Sequence, residues 1–168
     1  MKNISDVHVV VAKTGADGKG HFVDAGTPAR FSAPGIVDVA FVWGSPGTPD
    51  LPNGIGTPPT ATHMHGPGGS TFGIVCYAPN SAGKFDDAQR AAMGSNEVHD
   101  DGMHKTESVD YDVVISGKID VYLDGGEMRT LSQGSMIVMA GANHSWQNPY
   151  DEPCIFATVN LGATNSGG

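Results

Sequence analysis

Residues Gly102 to Asn148 read GMHKTESVDYDVVISGKIDVYLDGGEMRTLSQGSMIVMAGANHSWQN. Short runs rich in β-branched and aromatic residues, DYDVVISG, KIDVYLDGGE, MRTL and SMIVMAG, alternate with glycine-marked turns at Ser116-Gly117, Asp124-Gly125-Gly126 and Gln133-Gly134. Evenly spaced short strands with such punctuation predict an all-β sandwich or barrel rather than β-α-β units. Within KIDVYLD, Ile119, Val121 and Leu123 share one face while Asp120, Tyr122 and Asp124 share the other, so one side is expected to be buried and one wet. The same stretch carries His104 and Asp110 in one strand-like run and His144 in another. The pattern that decides the fold therefore also brings two imidazoles and a carboxylate into one small β-structure.

Outward from this stretch the β signal continues. HSWQN and CIFATVNL follow it, separated by Pro149-Tyr150-Asp151, and VHVVVA (Val7 to Ala12), HFVDA (His21 to Ala25) and IVDVAFVW (Ile36 to Trp43) precede it as short antiparallel strands. From Gly44 the chain turns to GSPGTPDLPNGIGTPPTATHMHGPGG, too dense in proline and glycine for helix or central strand, and a loop is expected. A loop of that length tends to be functional or mobile and can cover a site mouth. TFGIVCYAP (Thr71 to Pro79) reads as a further strand, and KFDDAQRAAMG (Lys84 to Gly94) as the one convincing helical segment, with acids near its start and glycine at its end. The expected organisation is a single domain over 1–168: N-terminal strands over 1–43, the Pro/Gly-rich loop over 44–70, a barrel core over 71–162 and a flexible tail over 163–168.

Composition narrows the function classes. The chain has 168 residues, enough to bury a core without disulfides or a structural metal. A formal charge of −9, with Arg30, Arg90 and Arg129 the only arginines, argues against nucleic-acid partners and strongly anionic substrates. No run approaches the roughly 18 apolar residues of a membrane helix, and MKNISDVHVVVAKTG lacks the features of a secretory leader, so no membrane partner and a soluble cytoplasmic protein are expected. Cys76 and Cys154 sit in apolar runs and read as buried structural thiols.

These residues resemble the cupin superfamily. His104 fits the first histidine of the first cupin motif, Thr106 stands where the second would be, Asp110 takes the acid's place and Gly117 supplies the glycine. Gly134, Gly141, His144 and Asn148 match the second motif. The chain is also similar to a single-domain subgroup with a histidine-x-threonine-x-serine-x-aspartate-tyrosine run and a glycine-x-asparagine-histidine-x-tryptophan run, reproduced by HKTESVDY and GANHSW. The resemblance implies a cupin-type antiparallel jelly-roll barrel, and by family habit a homodimer formed through strands of the first forty residues, whose apolar runs point the same way.

Strand parity leads to a metal from the residues themselves. His104, Thr106 and Asp110 would project to one face, with Glu107 directed away, so Asp110 is the acid selected. His144, Trp146 and Asn148 share a face of their own strand. Two histidines and one carboxylate with open positions form a facial-triad set suited to Fe(II), with Mn, Ni or Zn as other occupants. Thr106, Trp146, Tyr111 and His63 are expected to line the substrate pocket. His65, beside His63 in the HMH loop, and His99, ahead of the motif, are nominated for proton transfer. His8 and His21 are assigned to structure. The function expected is a metal-dependent enzyme acting on a small, neutral or weakly acidic, oxygen-bearing molecule, as a non-haem iron oxygenase or a Lewis-acid lyase, decarboxylase, cyclase or isomerase. The alternative is a non-catalytic small-molecule or metal-binding module.

Overall fold

A strand whose alternate residues are apolar must bury one face, and this chain solves that by facing one sheet with another. The computed structural model describes residues 4–58, 65–81, 85–87, 99 and 101–166. Its largest sheet contains β3 (Ala29–Ala33), β4 (Val37–Ser45), β5 (Ser70–Tyr77), β6 (Ser108–Ser116), β9 (Met136–Ala140) and β11 (Cys154–Gly162), in the order β3-β4-β5-β11-β6-β9. The opposing sheet contains β7 (Lys118–Leu123), β8 (Met128–Ser132) and β10 (His144–Gln147), in the order β10-β7-β8. A separate hairpin pairs β1 (Val9–Thr14) with β2 (Gly20–Gly26). Every pairing is antiparallel, and the pairs form two nested sets, β7–β8 within β6–β9 and β7–β10 within β6–β11. This nesting winds a long hairpin into the jelly-roll barrel of the cupin fold.

The barrel interior is apolar through most of its length. Val75, Tyr77, Val114 and Phe156 of the large sheet pack against Ile119, Val121 and Trp146 of the small one. On the outside of the large sheet a second cluster, with Ile4, Val7 and Val9 over Ala40, Val42, Ile74 and Ile155, seats the N-terminal segment. Cys154 is fully buried and Cys76 half-buried, and both thiols are free. Burial raises the Cys154 thiol to about 12, which keeps it protonated and unreactive.

The strand expectations of the C-terminal half hold, and the differences have identifiable causes. β3 has no strong sequence signal because ARFSA is short, rich in small residues and flanked by Pro28 and Pro34. Asp120 is not on a wet face: it is 6% exposed and accepts hydrogen bonds from Thr130 Oγ1 at 2.7 Å and from the Tyr150 hydroxyl at 2.9 Å. Alternation assigned its face correctly but could not foresee that Tyr150 would cover it. Between β4 and β5 the described residues form isolated bridges only, Gly44 with Thr57 and Asp50 with Gly54. Ala163 does not fray, since its N–H donates to the Glu107 carbonyl at 2.9 Å. The helix expected over 84–94 lies outside the described residues except at 85–87. Among the described residues no helix is long and apolar enough to cross a membrane.

Candidate functional site

His104 lies ahead of β6, and His144 opens β10. The two form an isolated bridge in which each backbone N–H donates to the other's carbonyl at 2.9 Å. That main-chain exchange brings the imidazoles together, with ring centroids 4.4 Å apart and planes inclined by 52°. Each ring is then fixed by its own chain. His104 Nδ1 lies 2.9 Å from the Gly102 carbonyl and His144 Nδ1 lies 2.8 Å from the Ala142 carbonyl. A carbonyl oxygen only accepts, so Nδ1 carries the proton in both rings and each Nε2 keeps its lone pair.

Burial holds both rings neutral. His144 is 3% exposed, and its pKa falls to about 4, first because burial penalises the imidazolium and second because His104 stands beside it. Burial also lowers His104, against the opposing influence of the Gly102 carbonyl and the Asp110 charge. Trp146 walls the pair: it is buried, meets His144 edge-on at 6.0 Å and stacks on Phe156 at 4.7 Å.

Asp110 is on the inner face of β6, 6% exposed. Its carboxylate is occupied by neighbours, with Ser108 Oγ 2.6 Å from Oδ1 and Thr106 Oγ1 3.3 Å from Oδ2. The hydroxyls themselves are 2.7 Å apart. Among the described residues no three His, Cys, Asp or Glu side chains converge as an ion-holding set. The expected triad is therefore present as a close imidazole pair with a nearby carboxylate turned to two hydroxyls. The cause is local: Thr106 and Ser108, on the same face as Asp110, reach its carboxylate first. Thr106 acts as a partner of that carboxylate. A groove of about 520 Å³ opens beside it, lined by Thr106, Ser108, Gly141, Ala163 and Asn165 among others.

The other nominated residues separate. Tyr111 is not a pocket wall: alternation turns it to the outer face of β6, where it is 49% exposed. His99 is exposed, on the turn leading to His104, where its carbonyl accepts from Gly102 N–H at 2.9 Å. His65 packs against Gly44, with Nε2 2.6 Å from where a Cβ on that glycine would lie. His63 lies outside the described residues. His8 and His21 pair with Asp24 and Asp17 at 3.0 and 2.9 Å on the surface.

Sequence reasoning passed over Asp112, Asn160 and Thr71, all buried and on the inner face. Asp112 accepts a hydrogen bond from Thr158, and burial, reinforced by Asp110, raises its pKa to about 6. The parity that selects Asp110 also selects residues 108 and 112, so this signal was available. The site is thus the polar end of an otherwise apolar barrel. By type, the donor set suits a divalent ion: two neutral imidazoles with free Nε2 lone pairs and second nitrogens anchored on carbonyls, the arrangement metal-ligating histidines adopt, with a carboxylate close by.

No family model matches the chain. Over 46 residues it is 54% identical to the phomopsin biosynthesis cluster protein C' of Diaporthe leptostromiformis, covering 27% of this chain and 24% of that protein. Over the same length it is 41% identical to virC of Hypocrea virens, a cupin-domain-containing oxidoreductase, again covering 27% and 24%. The match thus spans about a quarter of the length of these curated relatives. Among solved structures, a cupin 2 conserved barrel domain protein of Salinispora arenicola overlaps with a TM-score of 0.41 at 18% identity, covering 56% of this chain and 64% of that one.

Proposed function

We propose that this chain is a metal-dependent enzyme acting on a small, neutral or weakly acidic, oxygen-bearing molecule, a reading supported by its cupin-like motifs, its jelly-roll pairing and its likeness over 46 residues to a cupin-domain-containing oxidoreductase. The observation that carries this reading is the pair of Nδ1 to carbonyl hydrogen bonds, which leaves the adjacent Nε2 lone pairs of His104 and His144 to hold a divalent ion. Fe(II) is the first choice, and Mn, Ni or Zn suit the same ligands. Asp110 would be the third protein ligand, its oxygens oriented by Thr106 and Ser108. When bound, the ion supplies open positions for substrate oxygen and either dioxygen or Lewis-acid chemistry.

The chain's own residues do the rest. The Gly102 and Ala142 carbonyls keep both imidazoles in the ligand-ready tautomer, and burial lowers the pKa of both, that of His144 to about 4. Trp146 and Phe156 exclude water from the apolar side. The oxidoreductase name of a relative favours the oxygenase over the redox-neutral lyase or isomerase. A second reading, a metal-free binding barrel, draws on the engagement of Asp110 by two hydroxyls.

Purification without a histidine tag separates the two. The metal-enzyme reading expects near-stoichiometric divalent metal, lost in His144→Ala. Substoichiometric metal unchanged by His144→Ala overturns it. With enolic and phenolic compounds, turnover confined to air supports the oxygenase, and turnover persisting under nitrogen supports the lyase or isomerase.

A further inference from the structure

A row of polar side chains crosses the large sheet at the level of the imidazole pair. Backbone register puts Gly44 of β4 opposite Thr71 of β5, Thr71 opposite Asn160 of β11, Asn160 opposite Asp110 of β6 and Asp110 opposite Met139 of β9. Met139 belongs to the interior cluster, so this row faces into the barrel. Directly opposed residues in an antiparallel sheet have Cβ atoms about 5 Å apart, which makes the row continuous.

Two features of it have no structural explanation. Thr71 is 2% exposed, and among the described residues its buried Oγ1 has no hydrogen-bond partner. An unsatisfied buried hydroxyl is unfavourable, and valine would fill the same space without that penalty. Gly44 is the second: it sits in a strand, where glycine weakens pairing, and the place its Cβ would occupy is filled by the His65 ring, with Nε2 at 2.6 Å and Cδ2 at 3.1 Å from it. A glycine at this position is what admits the imidazole.

We propose that His65, seated over Gly44, joins Thr71 and Asn160 in a shelf that recognises an uncharged carbonyl or hydroxyl oxygen of the small molecule bound in the barrel. The shelf offers a hydroxyl, a carboxamide and an imidazole, none of them a carboxylate or a fixed cation. Asp110 completes the row and Asp112 stands in the next one, opposite Thr158, so a carboxylate ligand meets like charge there. The ligand class is thus a neutral carbonyl compound and excludes organic acids of the same size. The assignment rests on the small-molecule reading of the barrel, and Thr71, Asn160 and His65 lie outside the proposed ion-holding set.

The test is calorimetric titration of acetylacetone, neutral and enolisable, and of pyruvate, an anion of similar size, into metal-free and Zn(II)-loaded protein. Thr71→Val, His65→Gln and Gly44→Ala are each expected to weaken acetylacetone by about five-fold, the loss of one hydrogen bond. Gly47→Ala, whose Cβ enters open space, leaves binding unchanged. Thr71→Val also leaves the unliganded protein at least as stable as the wild type. Should Gly44→Ala fail to fold, Thr71→Val and His65→Gln decide. Acetylacetone affinity unchanged in those two variants, pyruvate binding as tightly as acetylacetone, or no binding of acetylacetone by the wild type overturns the shelf. Failure of the wild type to bind Zn(II) counts against the metal reading alone, because the metal-free titrations still test the shelf.

Discussion

His144 and Asp112 illustrate how one desolvated pocket acts on an acid and a base in opposite directions. In the metal-free protein His144 titrates at about 4 against an ordinary value of 6.5, so the unfolded chain takes up the proton first and stability falls as pH drops from 6.5 towards 4. Asp112 titrates at about 6 against 3.8, so the folded chain binds the proton more tightly; that contribution is fully present below 3.8 and is lost as pH rises through 6. The two slopes oppose each other over most of the same range. Asp112→Asn removes the second, and the variant is expected to exceed the wild type by roughly 1–3 kcal/mol at about pH 8, with a steeper loss on acidification. Urea unfolding at several pH values measures this, and a variant no more stable at the alkaline end contradicts it.

At the scale of elements, two turn glycines of equal sequence appearance carry different weight. Gly117, between β6 and β7, has φ +76°, and a Cβ there would lie 2.3 Å from the Pro153 carbonyl oxygen. Gly134, between β8 and β9, has φ +85° and open space around it. Gly134→Ala is expected to lose about 1 kcal/mol, the strain of a left-handed alanine, and Gly117→Ala roughly 3 kcal/mol or more, since backbone must also move. Equal losses in denaturant melts would show that the approach of Pro153 is unimportant. Both glycines were legible as turns because the runs beside them alternate so regularly. The barrel strands from β6 to β11 were legible for the same reason. What escaped the sequence depends on neighbours far along the chain: Asp120 is covered by Tyr150, and Gly44 is matched to His65. His104 and His144 were readable as a pair, whereas the turn of the Asp110 carboxylate towards Thr106 and Ser108 was not, because side-chain hydrogen bonding has no compositional mark.

At the scale of the molecule, the β1–β2 hairpin leaves Phe22 83% and Val10 57% exposed, beside the segment that seats on the large sheet. A homodimer through this hairpin is the assembly we expect, since Val10, Phe22 and Val23 present apolar surface on one small element and such surface marks association. Light scattering should give twice the chain mass for the wild type and a lighter species for Phe22→Glu; a monomeric wild type refutes it. The position of β11 reaches beyond the resting structure. β11 lies in the middle of the large sheet, flanked by β5 and β6, so it joins two half-sheets that are far apart in sequence. Without β11, β3-β4-β5 and β6-β9 are two half-sheets whose facing edges are unpaired. A chain stopped before Cys154 is therefore expected to expose both edges and to aggregate edge to edge.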